Sequence, residues 1–209
     1  GDYLLARSSE LAAESLGLES VKLLASTYAQ LVEGQTKEVQ FSFDTNHGTD
    51  DYLKIIEGKT ASLIKTSAKL GAMASGCKQE TISSISKWAW HSGIIFQITD
   101  DILDLSSDEK TLGKPSGNDI IEGTYTLPVL IALEKYPEKI NKILSDISEN
   151  KVGVNEVINE FNNDEIISES KLFLKTHLEK SESAAKEIDN KTVRNILLDI
   201  NTYLIERSN

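Results

Sequence analysis

Asp100, Asp101 and Asp104 end an otherwise apolar stretch, Gly93-Ile94-Ile95-Phe96-Gln97-Ile98-Thr99-Asp100-Asp101-Ile102-Leu103-Asp104-Leu105. On a helix, Asp100 and Asp104 are i and i+4 and share one face. Asp101 lies about 100° round from Asp100, and Gln97 lies one turn before Asp101. Carboxylates this close repel one another and resist ionisation. A hard cation such as Mg²⁺ removes that cost, because it takes oxygen ligands and keeps waters that a phosphate can replace. The competing reading is a solvated acidic helix end, which a helix C-terminus disfavours but tolerates. The flanking Ile94, Ile95, Ile98 and Ile102 favour a buried or cavity-facing site.

Two lysines stand where helices should break. Lys59 lies in Ile55-Ile56-Glu57-Gly58-Lys59-Thr60-Ala61, and Lys114 in Leu112-Gly113-Lys114-Pro115-Ser116-Gly117-Asn118-Asp119. Glycine lets the backbone approach a ligand, and a lysine beside it supplies a point charge to a phosphate. Each lysine alone reads as a surface residue. An acidic helix end followed by a lysine-bearing loop, together with a helix broken at Gly-Lys-Thr, shifts the balance from surface lysines toward a phosphate-binding role.

Other chemistries find no support. His47, His91 and His177 are too scattered in sequence to suggest zinc. No Ser, Cys or His arrangement suggests a nucleophile. The glycines at 113, 117 and 123 form neither a P-loop nor a dinucleotide fingerprint. Cys77 reads as a small filler, and a single cysteine excludes an internal disulfide framework and fits a reducing, cytoplasmic setting.

The elements that must position these residues are helices. Periodicity predicts helices over residues 3–16, 19–43, 50–75 (interrupted at 58–60), 80–105, 119–135, 138–149, 154–161, 164–187 and 191–207, with a polar loop at 106–117. Nothing alternates with period two for long enough to be a strand. The chain has 209 residues, three prolines and a net charge of −11. That charge argues against nucleic acid or an anionic membrane as partner. No apolar run reaches the about 18 residues of a membrane span.

The run Phe96-Gln97-Ile98-Thr99-Asp100-Asp101-Ile102-Leu103-Asp104, followed by Gly113-Lys114-Pro115-Ser116-Gly117-Asn118-Asp119-Ile120-Ile121-Glu122-Gly123-Thr124-Tyr125-Thr126-Leu127-Pro128, resembles the second aspartate-rich motif and trailing segment of trans-isoprenyl (polyprenyl) diphosphate synthases. Gly58-Lys59-Thr60, Gly1-Asp2-Tyr3-Leu4-Leu5-Ala6, Glu33-Gly34-Gln35 and Thr202-Tyr203-Leu204-Ile205-Glu206-Arg207 resemble further family segments, in order and at family spacing.

The resemblance implies an all-α isoprenoid synthase-type helical bundle around a central cavity, usually a homodimer. It implies condensation of an allylic diphosphate with isopentenyl diphosphate, with Mg²⁺ as cofactor. Asp100 would bind the metal directly, and Asp101 and Asp104 would hold its waters or the lysine network. Lys59 and Lys114 would hold the allylic diphosphate, and Gln97 and the Thr60 carbonyl would face the developing cation. The family's first aspartate-rich motif precedes the Gly-Asp-Tyr-Leu segment and has no counterpart here. The expectation is therefore one helical domain, residues 1–209, forming the C-terminal two-thirds of a synthase and inactive alone. A class I terpene cyclase and a non-catalytic helical subunit of a heteromeric synthase are the alternatives. Removing N-terminal helices should leave apolar surface on the first helix, at Leu4, Leu5 and Leu11.

Overall fold

The computed structural model describes residues 1–106 and 117–207. Every regular element among them is helical, as the periodicity predicts. Helix α1 spans Asp2–Gln40 and kinks at Gly17, where the sequence places a helix stop. Helix α2, Thr49–Ile56, runs through a π-helical turn, Glu57–Ala61, directly into α3, Ser62–Ala74. Helix α4 is Gln79–Ser106 and α5 is Asn118–Ile121. Then come α6, Leu127–Lys135, and α7, Pro137–Ser148. Helix α8, Val154–Val157, continues into a 3₁₀ turn, Ile158–Glu160. The last two are α9, Asp164–Lys186, and α10, Lys191–Glu206.

Helix α4 is the axis of the bundle. It packs along α3 and α9 and also meets α6, α10 and the π turn. Ile94, Ile95 and Ile98 are 0 % exposed, and Ile102 is almost as deep. Apolar side chains on several sides are what a central helix needs. Helix α6 is buried through Leu127, Val129, Leu130, Ile131 and Ala132. Its Pro128 sits in the first turn, where a missing N–H costs no helical hydrogen bond.

Two boundaries differ from the sequence expectation. Residues 119–135 are not one helix. The chain leaves α5, turns at Gly123 with φ 76°, and enters α6 from an extended Thr126. The Thr124 N–H donates to the Asp119 carbonyl at 2.8 Å, which closes α5. The interruption at 58–60 is not a break either, but a π turn that carries one extra residue in a continuous helix.

That π turn is gripped from two sides. A Cβ on Gly34 of α1 would lie 2.7 Å from the Lys59 backbone nitrogen, and one on Gly58 would lie 2.7 Å from the Gln30 carbonyl oxygen. On the other side, a Cβ on Gly93 of α4 would lie 2.7 Å from the Ala61 Cα. Backbone therefore meets backbone at both faces, and no side chain fits between.

Helix α1 also carries an uncovered apolar stripe. Tyr3, Leu4, Leu11 and Leu18 are each well over half exposed, while Leu5 is half-buried. Four large apolar side chains this exposed within the first eighteen residues exceed the singly scattered exposed leucines of an ordinary surface.

Gly34→Ala should destabilise the chain by about 1–3 kcal/mol, the usual cost of overpacking. At an open helical position the same change would stabilise by about 1 kcal/mol. The sign of the shift in a urea unfolding midpoint therefore tests the contact. A rise in stability would mean that α1 and the π turn are not in backbone contact.

Candidate functional site

A cavity of about 200 Å³ opens beside the lower half of α4, with Glu38, Tyr52, Lys59, Gln97, Asp101 and Asp119 in its lining. Five elements supply them. Glu38 comes from the end of α1, Tyr52 from α2, Lys59 from the π turn, Gln97 and Asp101 from α4, and Asp119 from α5.

Asp101 is 3 % exposed and is held by neutral donors. The Tyr52 hydroxyl donates to its Oδ2 at 2.5 Å, and the Gln97 Nε2 donates to its Oδ1 at 2.9 Å. Gln97 accepts in turn from the Thr60 hydroxyl, through its Oε1, at 2.7 Å. One chain of hydrogen bonds thus joins α2, α4 and the π turn. It fixes the Gln97 amide with its carbonyl oxygen toward Thr60. Lys59 is gripped by Glu38, its Nζ donating to the two carboxylate oxygens at 2.8 and 2.6 Å.

Burial dominates the acidity of this cluster. It pushes the Asp101 carboxyl up to about 7, with the Asp119 and Asp100 charges adding to it and the Tyr52 and Gln97 bonds opposing it. Asp119 is pushed up to about 6, first by burial and then by Asp104, Glu122 and Glu38, with Lys59 pulling the other way. The Tyr52 hydroxyl is raised well above its usual range, by burial first and then by Asp101.

The structure brings Lys59, Thr60, Gln97 and Asp101 together. Asp100 turns elsewhere. Its Oδ1 accepts from Arg207 Nη2 at 2.9 Å, and the guanidinium lies over the Phe96 ring, 5.7 Å from its centre. Asp104 is half-buried and acts on Asp119 through its charge. Lys114 lies outside the described residues. Sequence reasoning assigned no site role to Tyr52, Glu38, Asp119 or Arg207. Asp119 was within reach, because it closes the Gly-Lys-Pro-Ser-Gly-Asn-Asp segment, and Arg207 closes another matched segment. Tyr52 and Glu38 carry no sequence signal of their own.

The donors suit a hard divalent cation. They are carboxylate oxygens, and burial first, with neighbouring acids adding to it, holds Asp101 and Asp119 partly protonated near neutral pH. No three His, Cys, Asp or Glu side chains among the described residues form a ready cage for an ion. Mg²⁺ does not need one, since it commonly binds through one or two carboxylates plus water and substrate phosphate.

The family model described as Polyprenyl synthetase matches residues 1–163. The chain belongs to this family. It is 43 % identical over 135 residues to a nonaprenyl diphosphate synthase of Mycobacterium tuberculosis, a match covering 65 % of this chain and 40 % of that protein. It is 32 % identical over 209 residues to heptaprenyl diphosphate synthase component 2 of Geobacillus stearothermophilus, covering 99 % of this chain and 65 % of that protein. Among solved structures it resembles a geranylgeranyl pyrophosphate synthase from Corynebacterium glutamicum, complexed with calcium and isoprenyl diphosphate. That likeness has a TM-score of 0.84 at 30 % identity and covers 99 % of this chain and 65 % of that one. The chain thus spans between 40 % and 65 % of the length of these polyprenyl synthetase relatives.

Asp101→Asn tests the electrostatics of the cavity. The folded chain holds the Asp101 proton up to about pH 7, whereas the unfolded carboxyl releases it near 3.8. Above 3.8 the folded state therefore binds more protons, and stability falls as pH rises toward and through 7. The variant has no proton to lose there. Its stability relative to the parent should grow by about 1 kcal/mol between pH 6.5 and 8 without divalent cation. The three histidines, all held below their usual range, cancel in this difference. Urea unfolding of both chains at the two pH values checks it, and a constant difference would mean that Asp101 ionises normally.

Proposed function

We propose that this chain carries the diphosphate-handling part of a trans-polyprenyl diphosphate synthase. The parent enzyme condenses an allylic diphosphate with isopentenyl diphosphate to an all-trans polyprenyl diphosphate. The observation that carries the reading is the meeting of Lys59, Gln97 and Asp101 at one cavity, with Thr60 bonded to Gln97 behind it, within a chain of the polyprenyl synthetase family. The relative from Corynebacterium glutamicum, complexed with calcium and isoprenyl diphosphate, adds support from a similar fold.

In the reaction, the allylic carbon–oxygen bond breaks and diphosphate leaves with the electron pair. The isopentenyl double bond then attacks the allylic cation, and a proton is lost. Asp100, once released by Arg207, would bind Mg²⁺ directly, with Asp101, Asp104 and Asp119 holding its waters. When bound, the metal neutralises the departing diphosphate and so favours its departure. Lys59 adds a positive charge to the diphosphate oxygens once they displace Glu38 from it. The Gln97 carbonyl oxygen, oriented by Thr60, faces the developing cation. The Tyr52 bond keeps Asp101 aimed while the carboxyl changes charge. Lys114 takes the remaining diphosphate oxygens. The homodimer and the cytoplasmic setting belong to the same proposal. No helix among the described residues is long and apolar enough to cross a membrane.

A second reading is that the parent works as one component of a heteromeric synthase. It is favoured by two relatives of 32 % and 30 % identity, each named as component 2 of a heptaprenyl diphosphate synthase and each aligned with 99 % of this chain.

Calorimetry with pyrophosphate, with and without Mg²⁺, tests the leading reading on this chain. Binding should be synergistic, because acids and diphosphate repel until a cation joins them. Asp100→Asn should remove more of the synergy than Asp104→Asn. Lys59→Ala or Lys114→Ala should weaken pyrophosphate binding by about tenfold or more, as loss of a bond to a charged group does. Equal pyrophosphate affinity with and without metal would sink the metal assignment. Elongation of an allylic primer by the longer parent chain, abolished by Lys59→Ala, would establish the activity.

A further inference from the structure

His91 on α4 and His177 on α9 are far apart in sequence, but the fold sets them side by side. Their Nδ1 atoms are 3.1 Å apart, and the rings are tilted by 60° with centres 5.2 Å apart. His91 precedes Asp101 by about 15 Å of helix, so the pair is separate from the acidic cavity.

The backbone presenting these rings is rigidly placed. Next to His91, and one turn after His177, a buried polar network fastens α4, α9 and α10. The Ser92 hydroxyl donates to Asn201 Oδ1 at 2.8 Å, and Asn201 Nδ2 donates to the Ser181 hydroxyl at 3.0 Å. The Ser92 and Ser181 hydroxyls share a hydrogen bond of 2.9 Å. The histidine pair itself is half-buried, so solvent reaches it.

We propose that His91 and His177 form a bidentate site for a borderline divalent transition ion such as Zn²⁺, Ni²⁺ or Cu²⁺, with water completing the coordination. The bite distance fits. Nitrogens 3.1 Å apart, with metal–nitrogen bonds of about 2.0–2.1 Å, enclose an angle of about 100° at the ion. That lies between square-planar and tetrahedral values, and the rings, whose Nδ1 atoms now face each other, must each turn to aim their lone pairs at one point beside the line that joins them.

The protonation state also fits. Burial, then the Lys180 ammonium, holds His91 below its usual range, and burial, His91 and Lys180 together push His177 down to about 4. Both rings are therefore neutral at neutral pH, and the proton between the Nδ1 atoms can move to an outer Nε2 as the ion enters. Imidazole selects zinc, copper and nickel, whereas Mg²⁺ and Ca²⁺ select oxygen. Zn²⁺ also takes carboxylate oxygens, so Mg²⁺ in excess serves to occupy the acidic cavity. Lys180 opposes any cation here and limits the affinity.

Calorimetry of the whole chain with Zn²⁺, in saturating Mg²⁺ at pH 7.5, should find one ion per chain. His91→Ala and His177→Ala should each weaken it by at least the about tenfold that losing even an outer-shell partner costs. Lys180→Gln should tighten it. Circular dichroism and the melting temperature establish that each variant is folded. A measurement on the unaltered chain keeps the test decisive if either variant unfolds. With Cu²⁺ as probe, electron paramagnetic resonance should show hyperfine coupling to two imidazole nitrogens. Zinc affinity unchanged in both folded variants, or a copper signal without two coupled nitrogens, overturns the proposal.

Discussion

A buried carboxyl group, with no buried cation beside it among the described residues, governs this end of the molecule. Among the described residues Asp101 has two hydrogen-bond partners, Tyr52 and Gln97, and both are neutral. Such donors hold a carboxylate in place but cannot offset its loss of solvation. Two cations of the described residues at this end are already matched by other acids: Lys59 by Glu38, and Arg207 by Asp100. The described residues of the cluster therefore carry an excess of negative charge, built into the interior. A pocket lined in this way attracts positive charge.

Holding that pocket together depends on contacts made without side chains. Gly34, Gly58 and Gly93 let α1 and α4 close on the π turn until backbone touches backbone. Thr60 then reaches Gln97, and Lys59 reaches Glu38. A methyl group at any of the three glycines would push apart helices whose separation sets these distances. Precision in the cavity thus rests on what is missing from its walls as much as on what lines it.

Most of the fold was legible from periodicity, because α4, α9 and α10 are long and strongly patterned. The errors arose where local backbone chemistry decides. Gly123 adopts a left-handed conformation that no hydrophobic pattern announces, so one expected helix is two. The Gly-Lys-Thr interruption is visible, but a π turn and a helix end look alike in sequence. At the site, the spacing of Gln97 and Asp101 pointed to one face, and the structure links them. Asp100 and Arg207 could not be paired in advance, because their contact depends on where α10 docks. The same holds for His91 and His177, which look unrelated along the chain and meet across α4 and α9.

The π turn has a consequence for how this chain tolerates change in length. It spends one more residue on a turn than the α-helices on either side, so it absorbs a residue that the flanking helices do not need to stay in phase. Deleting one residue within 57–61 would let the two helices fuse smoothly, with every backbone bond satisfied and with α3 near its present phase relative to α2. Thr66, whose buried hydroxyl meets that of Thr27 on α1 at 2.6 Å, would keep that neighbour. What would go is the widened turn that presents Lys59 to Glu38 and Thr60 to Gln97. The helical frame would thus tolerate the loss of a residue that the cavity would not.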